Sequence, residues 1–142
     1  MKHYTTLIRI KKQEIDALRK QLMEFVQQQD ILEQLIQNLQ KELEDETALA
    51  QALTDMGVFF GDYSEANKKK QEQVYEKIAA LEQKIAELNH KIMIAFGEQK
   101  KIELVKAAKE EEERQIRELR EQQFLDNLAT TRWKSPHETH YG

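Results

Sequence analysis

From Ile8 onward, apolar side chains recur at alternating steps of three and four residues. The positions are Ile8, Lys11, Ile15, Leu18, Leu22, Phe25, Gln29, Leu32, Ile36, Leu39, Leu43, Glu46, Ala50 and Leu53. Eleven of these fourteen are apolar, a heptad seam of more than six repeats, which is a surface that must be covered by a partner helix. A second seam follows at Val74, Ile78, Leu81, Ile85, Leu88, Ile92, Ala95, Gln99 and Ile102. Beyond it the same register meets Lys106, Lys109 and Glu113, so the seam fades, and Val105, Ile116, Leu119, Leu125 and Leu128 form a weaker stripe that has drifted off register.

Composition excludes the competing fold classes. With four glycines and one proline in 142 residues, the chain lacks the turn formers of an ordinary globular domain. Its 22 basic and 26 acidic residues nearly balance, which is unlike the high net charge of disordered chains. No cysteine is present, so disulfides and thiolate metal sites are excluded. No apolar run approaches the roughly 20 residues of a membrane span, and "MKHYTTLIRIKKQEI" lacks the apolar block of a signal peptide. The sequence thus predicts a cytoplasmic protein without direct membrane insertion. Interspersed charge of both signs gives no case for nucleic-acid binding.

Between the seams lies "TDMGVFFGDYSEA", Thr54–Ala66, with Gly57 and Gly61 around Val58, Phe59 and Phe60. Gly57 can end a helix, and Asp62 or Ser64 can cap the next, with Glu65 three residues after Asp62 as in a capping box. The expected fold is therefore all-α: a long antiparallel two-helix coiled-coil hairpin with an overhanging C-terminal helix end. Its parts are a first helix over 4–56, an aromatic hairpin loop over 57–63, a second helix over 64–132 and a disordered tail over 133–142, since Pro136 cannot continue a helix. With Phe59 and Phe60 as the pivot, Leu53 faces the neighbourhood of Ala66, Ile15 that of Glu103, Glu46 that of Gln71 and Glu72, and Lys11 that of Lys106. On that register roughly the last four turns of the second helix have no intramolecular partner. They support themselves by pairing Glu110 with Arg114 and Glu113 with Arg117, each worth a few tenths of a kcal/mol.

The chemistry-bearing residues are few. Val58, Phe59 and Phe60 plug the closed end of the hairpin, and a narrow tip that cannot bury them well also offers them to a partner. Tyr63 and Tyr75 are the rings expected to be exposed. Lys68, Lys69 and Lys70 oppose the helix dipole in the first turns of the second helix; they form a solvated face or meet an acidic partner near the tip. Gln29 and Gln99 are polar seam positions that fix register at some cost in stability. Gly97 is a tolerated mid-helix glycine or marks a bend. Trp133, the single tryptophan, is either an anchor for a partner's pocket or an indifferent tail residue, and Arg117 and Arg120 are candidate charged contacts on the same overhang. His137 and His140 lack a carboxylate set around them, no phosphate-binding loop occurs, and a two-helix rod has no cavity to exclude water. No catalytic, cofactor or metal site is expected.

The two ends of the chain carry a family resemblance. The start, "YTTLIRIKKQEIDALRKQLMEF", looks like the opening of FliJ-type flagellar export proteins, with a short apolar run before a charged helix bearing paired leucines. The end, "KIELVKAAKEEEERQIRELREQQFLDNLATTR", resembles that family's C-terminal pattern: Leu104 after an acidic residue, a stretch of mixed charge, Arg120-Glu121-Gln122, then Leu125-Asp126. The resemblance implies an antiparallel two-helix coiled coil similar to the central stalk of rotary ATPases. It implies binding to the hexameric export ATPase, contact with the export-gate membrane protein and, for some members, with export chaperones, in flagellar or virulence-type secretion. The location implied is cytoplasmic and peripheral to the membrane export apparatus. The aromatic loop does not align to a family motif. The competing expectation is a structural or adaptor coiled coil that self-associates through the C-terminal stripe.

Overall fold

The computed structural model describes the backbone of residues 2–53 and 57–139, and the side chains of 2–53 and 60–132. It is an all-α helical hairpin. Helix α1 spans Lys2–Ala52 and helix α2 spans Gly57–Thr139. Neither contains proline before Pro136, and Leu, Gln, Glu and Lys, which lose little side-chain freedom in a helix, fill both. The chain divides into two compact units, Gln13–Phe96, and Met1–Lys12 with Gly97–Gly142.

In the Gln13–Phe96 unit the predicted seam is the observed one. Ile15, Ile36 and Leu39 of α1 and Val74, Ile78, Leu81, Leu88 and Ala95 of α2 are buried. Ile36, Leu39, Val74 and Ile78 form its tightest cluster, with Leu32 against it. Full burial of such a side chain contributes about 1.5–3 kcal/mol, and these layers supply the main cohesion of the unit. The helices run antiparallel: Gln29 reaches Glu82, while Gln40, further along α1, reaches Tyr75, earlier on α2.

The second helix begins earlier than the glycines suggest. Residues 57–63 are not a loop; they are the first two turns of α2. Phe60, Ser64, Asn67 and Gln71 continue the three-four spacing backward from Val74, and all four are buried or half-buried. Polar residues at three of these positions hid the seam from a pattern built on apolar residues. Asn67, 4% exposed, donates from Nδ2 to the Leu39 carbonyl at 3.0 Å and accepts from Gln71 Nε2 at 2.6 Å. A buried amide satisfied on both sides selects one register over neighbouring ones.

In the second unit the same correction appears. Lys11 pairs with Glu98, not with the neighbourhood of Lys106, a shift of eight residues or just over two turns toward the start of α2. Lys11 and Lys106 do not face each other, because the register that would bring them together is not adopted. Gln99, 6% exposed, donates to Glu103 at 3.0 Å. From Ala107 to Arg132 every residue is exposed. The helix end without a partner is thus longer than four turns: these 26 residues make about seven. Of the expected disordered tail, residues 133–139 are helical, because α2 continues through Pro136 to Thr139, and residues 140–142 lie outside the described residues. Proline there removes one backbone donor near a helix end, a local loss rather than a stop.

Gly61 and Gly97 lie inside α2, and a Cβ on either would meet nothing within 4 Å. Gly61→Ala and Gly97→Ala should each raise stability by about 0.5–1 kcal/mol in urea unfolding, since alanine fits and costs less to order. A loss at Gly61→Ala would mean that the aromatic stretch is a turn after all. Replacing Asn67 with Leu should raise the thermal midpoint yet produce additional registers or oligomers in cross-linking and size measurements. A single species with a lower midpoint would contradict the register role.

Candidate functional site

Three places on the hairpin carry side chains able to engage a partner. At the start of α2, Phe60 is half-buried at the seam and Tyr63 is 36% exposed. The side chains of Val58 and Phe59 lie outside the described residues. Tyr75 is 49% exposed as expected but does not join this cluster. It lies twelve residues beyond Tyr63, about 18 Å along the axis.

Tyr75 belongs to a second place, an open groove of about 400 Å³ lined by Glu33, Ile36, Gln37, Gln40, Tyr75, Ile78 and Glu82. Its floor is the seam, and its rim is held by two cross-helix bonds, Gln40 Nε2 donating to the Tyr75 hydroxyl at 3.3 Å and Gln29 Nε2 to Glu82 at 3.5 Å, while Gln29 Nε2 also donates to Glu33 within α1 at 3.3 Å. Sequence spacing could not mark this groove, because it depends on which residues of α1 and α2 stand opposite one another.

The third place is the exposed end of α2. Arg114 does not pair with Glu110. It forks to Glu111, 2.5 Å from Nη2 and 2.9 Å from Nε, and bonds Glu118 through Nη1. Residues three before and four after an arginine lie on the same side of it, so one guanidinium bridges both carboxylates. Glu110, on the other side, faces Lys106 at 3.7 Å. The hydrogen bond from Arg114 holds the Glu111 carboxyl below the ordinary glutamate range, and Glu111 in turn raises the Arg114 guanidinium. Glu103 is lowered likewise, first by Gln99 and then by Lys100. Arg117 and Arg120 are exposed and make no ion pair with a described residue. Leu119, Phe124 and Leu125 are each about 60% exposed around them, leaving apolar surface beside free cations. The side chains of Trp133 and His137 lie outside the described residues, as does His140.

Among the described residues no three His, Cys, Asp or Glu side chains converge on a metal-sized site. No described helix is long and apolar enough to cross a membrane. Comparison with known proteins gave no matching family model, no matching characterised protein and no matching solved structure.

Protonation offers a direct check of the overhang's pairing. Glu111 should titrate below an ordinary glutamate when its side-chain carboxyl is followed by NMR, and Arg114→Ala should return it to the ordinary range. Because the folded value is the lower one, the pairing contribution is present above the unfolded value and is lost as pH falls through the folded one. An unshifted Glu111 in the unsubstituted protein would refute the fork.

Proposed function

We propose that this chain is a non-enzymatic stalk and escort component of a flagellar-type protein export apparatus. In this reading the free end of α2 engages the hexameric export ATPase ring, and the aromatic end of the hairpin reaches the export-gate membrane protein. Export chaperones are further partners. The protein would act in the cytoplasm, peripherally attached to the membrane apparatus through the gate.

The observation that supports it most is the exposed stretch from Ala107 to Arg132, helical throughout and without a covering helix. A stalk needs a slender, self-supporting end that enters a ring. Internal pairs such as Arg114 with Glu111 and Glu118 keep such an end helical, while Arg117 and Arg120 stay available to acidic ring residues. The chain termini's resemblance to FliJ-type proteins supplies the identity of the ring. A second reading, a self-associating adaptor, is favoured by the exposure of Ile116, Leu119, Phe124, Leu125 and Leu128 on the same stretch.

Titrating the protein into the export ATPase should give a saturable rise in ATP hydrolysis. Arg117→Glu with Arg120→Glu should weaken that response severalfold with helicity intact, and Phe59→Ala with Phe60→Ala should weaken gate binding instead. Sedimentation should show a monomer at low micromolar concentration. No response from an ATPase competent to form its ring, with a concentration-dependent dimer, would select the adaptor.

A further inference from the structure

Glu33 of α1 and Glu82 of α2 border the groove beside Tyr75, within the Gln13–Phe96 unit. Both accept from one donor, Gln29 Nε2, at 3.3 Å and 3.5 Å. That donor is a neutral amide, so two carboxylates share a single nitrogen that carries no charge to offset theirs. Water and salt screen the repulsion at an exposed surface, so the pair is tolerated there rather than favourable.

Among the described residues no cation stands beside this pair. Three and four residues either side of Glu33 are Gln29, Asp30, Ile36 and Gln37; around Glu82 are Ile78, Ala79, Ile85 and Ala86. One heptad away at the same helix positions stand Val26 and Gln40 on α1, and Tyr75 and Asn89 on α2. The first cations at those positions, Arg19 and Lys68, lie two heptads off, about 21 Å along the axis and beyond the screening length. Lys77 and Lys84 are nearer in sequence but take the heptad position on the opposite edge of α2, and Lys84 Nζ sits 5.5 Å from the Phe25 ring centroid. Neither glutamate forms an ion pair with a described residue. Glutamates further along α2 behave differently: Glu98 meets Lys11, Glu103 meets Lys100, and Glu110 and Glu112 meet Lys106 and Lys109.

We infer that this groove seats an arginine carried by a basic amphipathic helix of another protein, its guanidinium bridging Glu33 and Glu82 against the Tyr75 ring. The inference does not depend on the stalk reading. A guanidinium is planar and presents five donors, so it can bond two carboxylates at once and lie on an aromatic face. Ile36 and Ile78 on the groove floor give its methylene stem apolar contact. A lysine ammonium offers neither the fork nor the flat face. The carrier is a helix because the same edge continues as exposed apolar surface at helical spacing. Val26 stands one heptad before Glu33, Met23 three residues before Val26, and Met93 four residues after Asn89; they are 40%, 63% and 71% exposed. A helix lying along that edge sets apolar residues over them while its arginine enters the groove. A divalent cation fits poorly, since two carboxylates supply too few oxygen ligands and no third acidic or histidine side chain converges on them among the described residues. Nucleic acid is disfavoured by the carboxylates themselves.

The test uses the full chain and a fluorescein-labelled three-heptad peptide with leucine at its seam positions and arginine at the flanking ones. One control peptide carries citrulline, which keeps the shape of arginine and removes its charge; another carries lysine. Anisotropy titration should show micromolar binding of the arginine peptide that weakens with salt. Binding should be at least tenfold weaker for the citrulline peptide and severalfold weaker for the lysine one. Glu33→Gln with Glu82→Gln should cost the arginine peptide at least tenfold at an unchanged or higher melting temperature, because a like-charge contact is removed. Glu76→Gln with Glu87→Gln, the same change of charge away from the groove, should leave binding unaltered. Should the first variant unfold, Glu82→Gln alone keeps the bond between Gln29 and Glu33 and should give a severalfold loss. Equal binding of the arginine peptide and either control would overturn the inference, as would equal binding by the two double variants. Magnesium that raises the melting temperature of the unsubstituted protein but not of Glu33→Gln with Glu82→Gln, with no peptide bound, would overturn it too, in favour of a metal site.

Discussion

One contact plane holds this protein in shape. A two-helix hairpin has no second layer, so every apolar side chain either meets the opposite helix or meets water. The seam from Ile15 to Leu39 and from Val74 to Ala95 carries the cohesion of the Gln13–Phe96 unit. Leucines and isoleucines specify that the helices pair, but they are nearly interchangeable from one heptad to the next. The choice of register falls to polar side chains, and the amide of Asn67 on the Leu39 carbonyl is the most buried of these contacts. The cost is a small loss of apolar burial; the gain is one alignment of α1 against α2.

That alignment decides what is left exposed. Because α2 starts at Gly57 and Lys11 stands at Glu98, the covering by α1 is used up near Lys106. Everything beyond must remain helical from its own interactions. Ion pairs at three- and four-residue spacing do this only weakly at an exposed surface, so the stretch depends on having several: Lys106 with Glu110, Lys109 with Glu112, and Arg114 with Glu111 and Glu118. An end of this kind is well suited to being completed by a partner.

Much of this was legible in the residues. The apolar seam, its fading after Ile102 and the exposure of Tyr63 and Tyr75 follow from three-four periodicity alone. The turn did not. Glycine and clustered aromatics at Gly57–Tyr63 have the look of a loop, yet Phe60, Ser64, Asn67 and Gln71 occupy seam positions, and a polar seam is invisible to a hydrophobic count. That single misplacement moved the expected partner of Lys11 by just over two turns. It brought Lys11 to Lys106 and hid the groove around Tyr75. The pairing of Arg114 was misread for a different reason: two glutamates on one side of a guanidinium outcompete a single one on the other.

The register is the claim on which the rest stands, and the absence of cysteine makes it directly measurable. Spin labels at Lys11→Cys and Glu98→Cys should report a short, narrow separation, and moving the second label to Lys106 should lengthen it. The reverse order, with 11 closer to 106 than to 98, would place the turn within the aromatic stretch. It would contradict both the early start of α2 and the length of its exposed end.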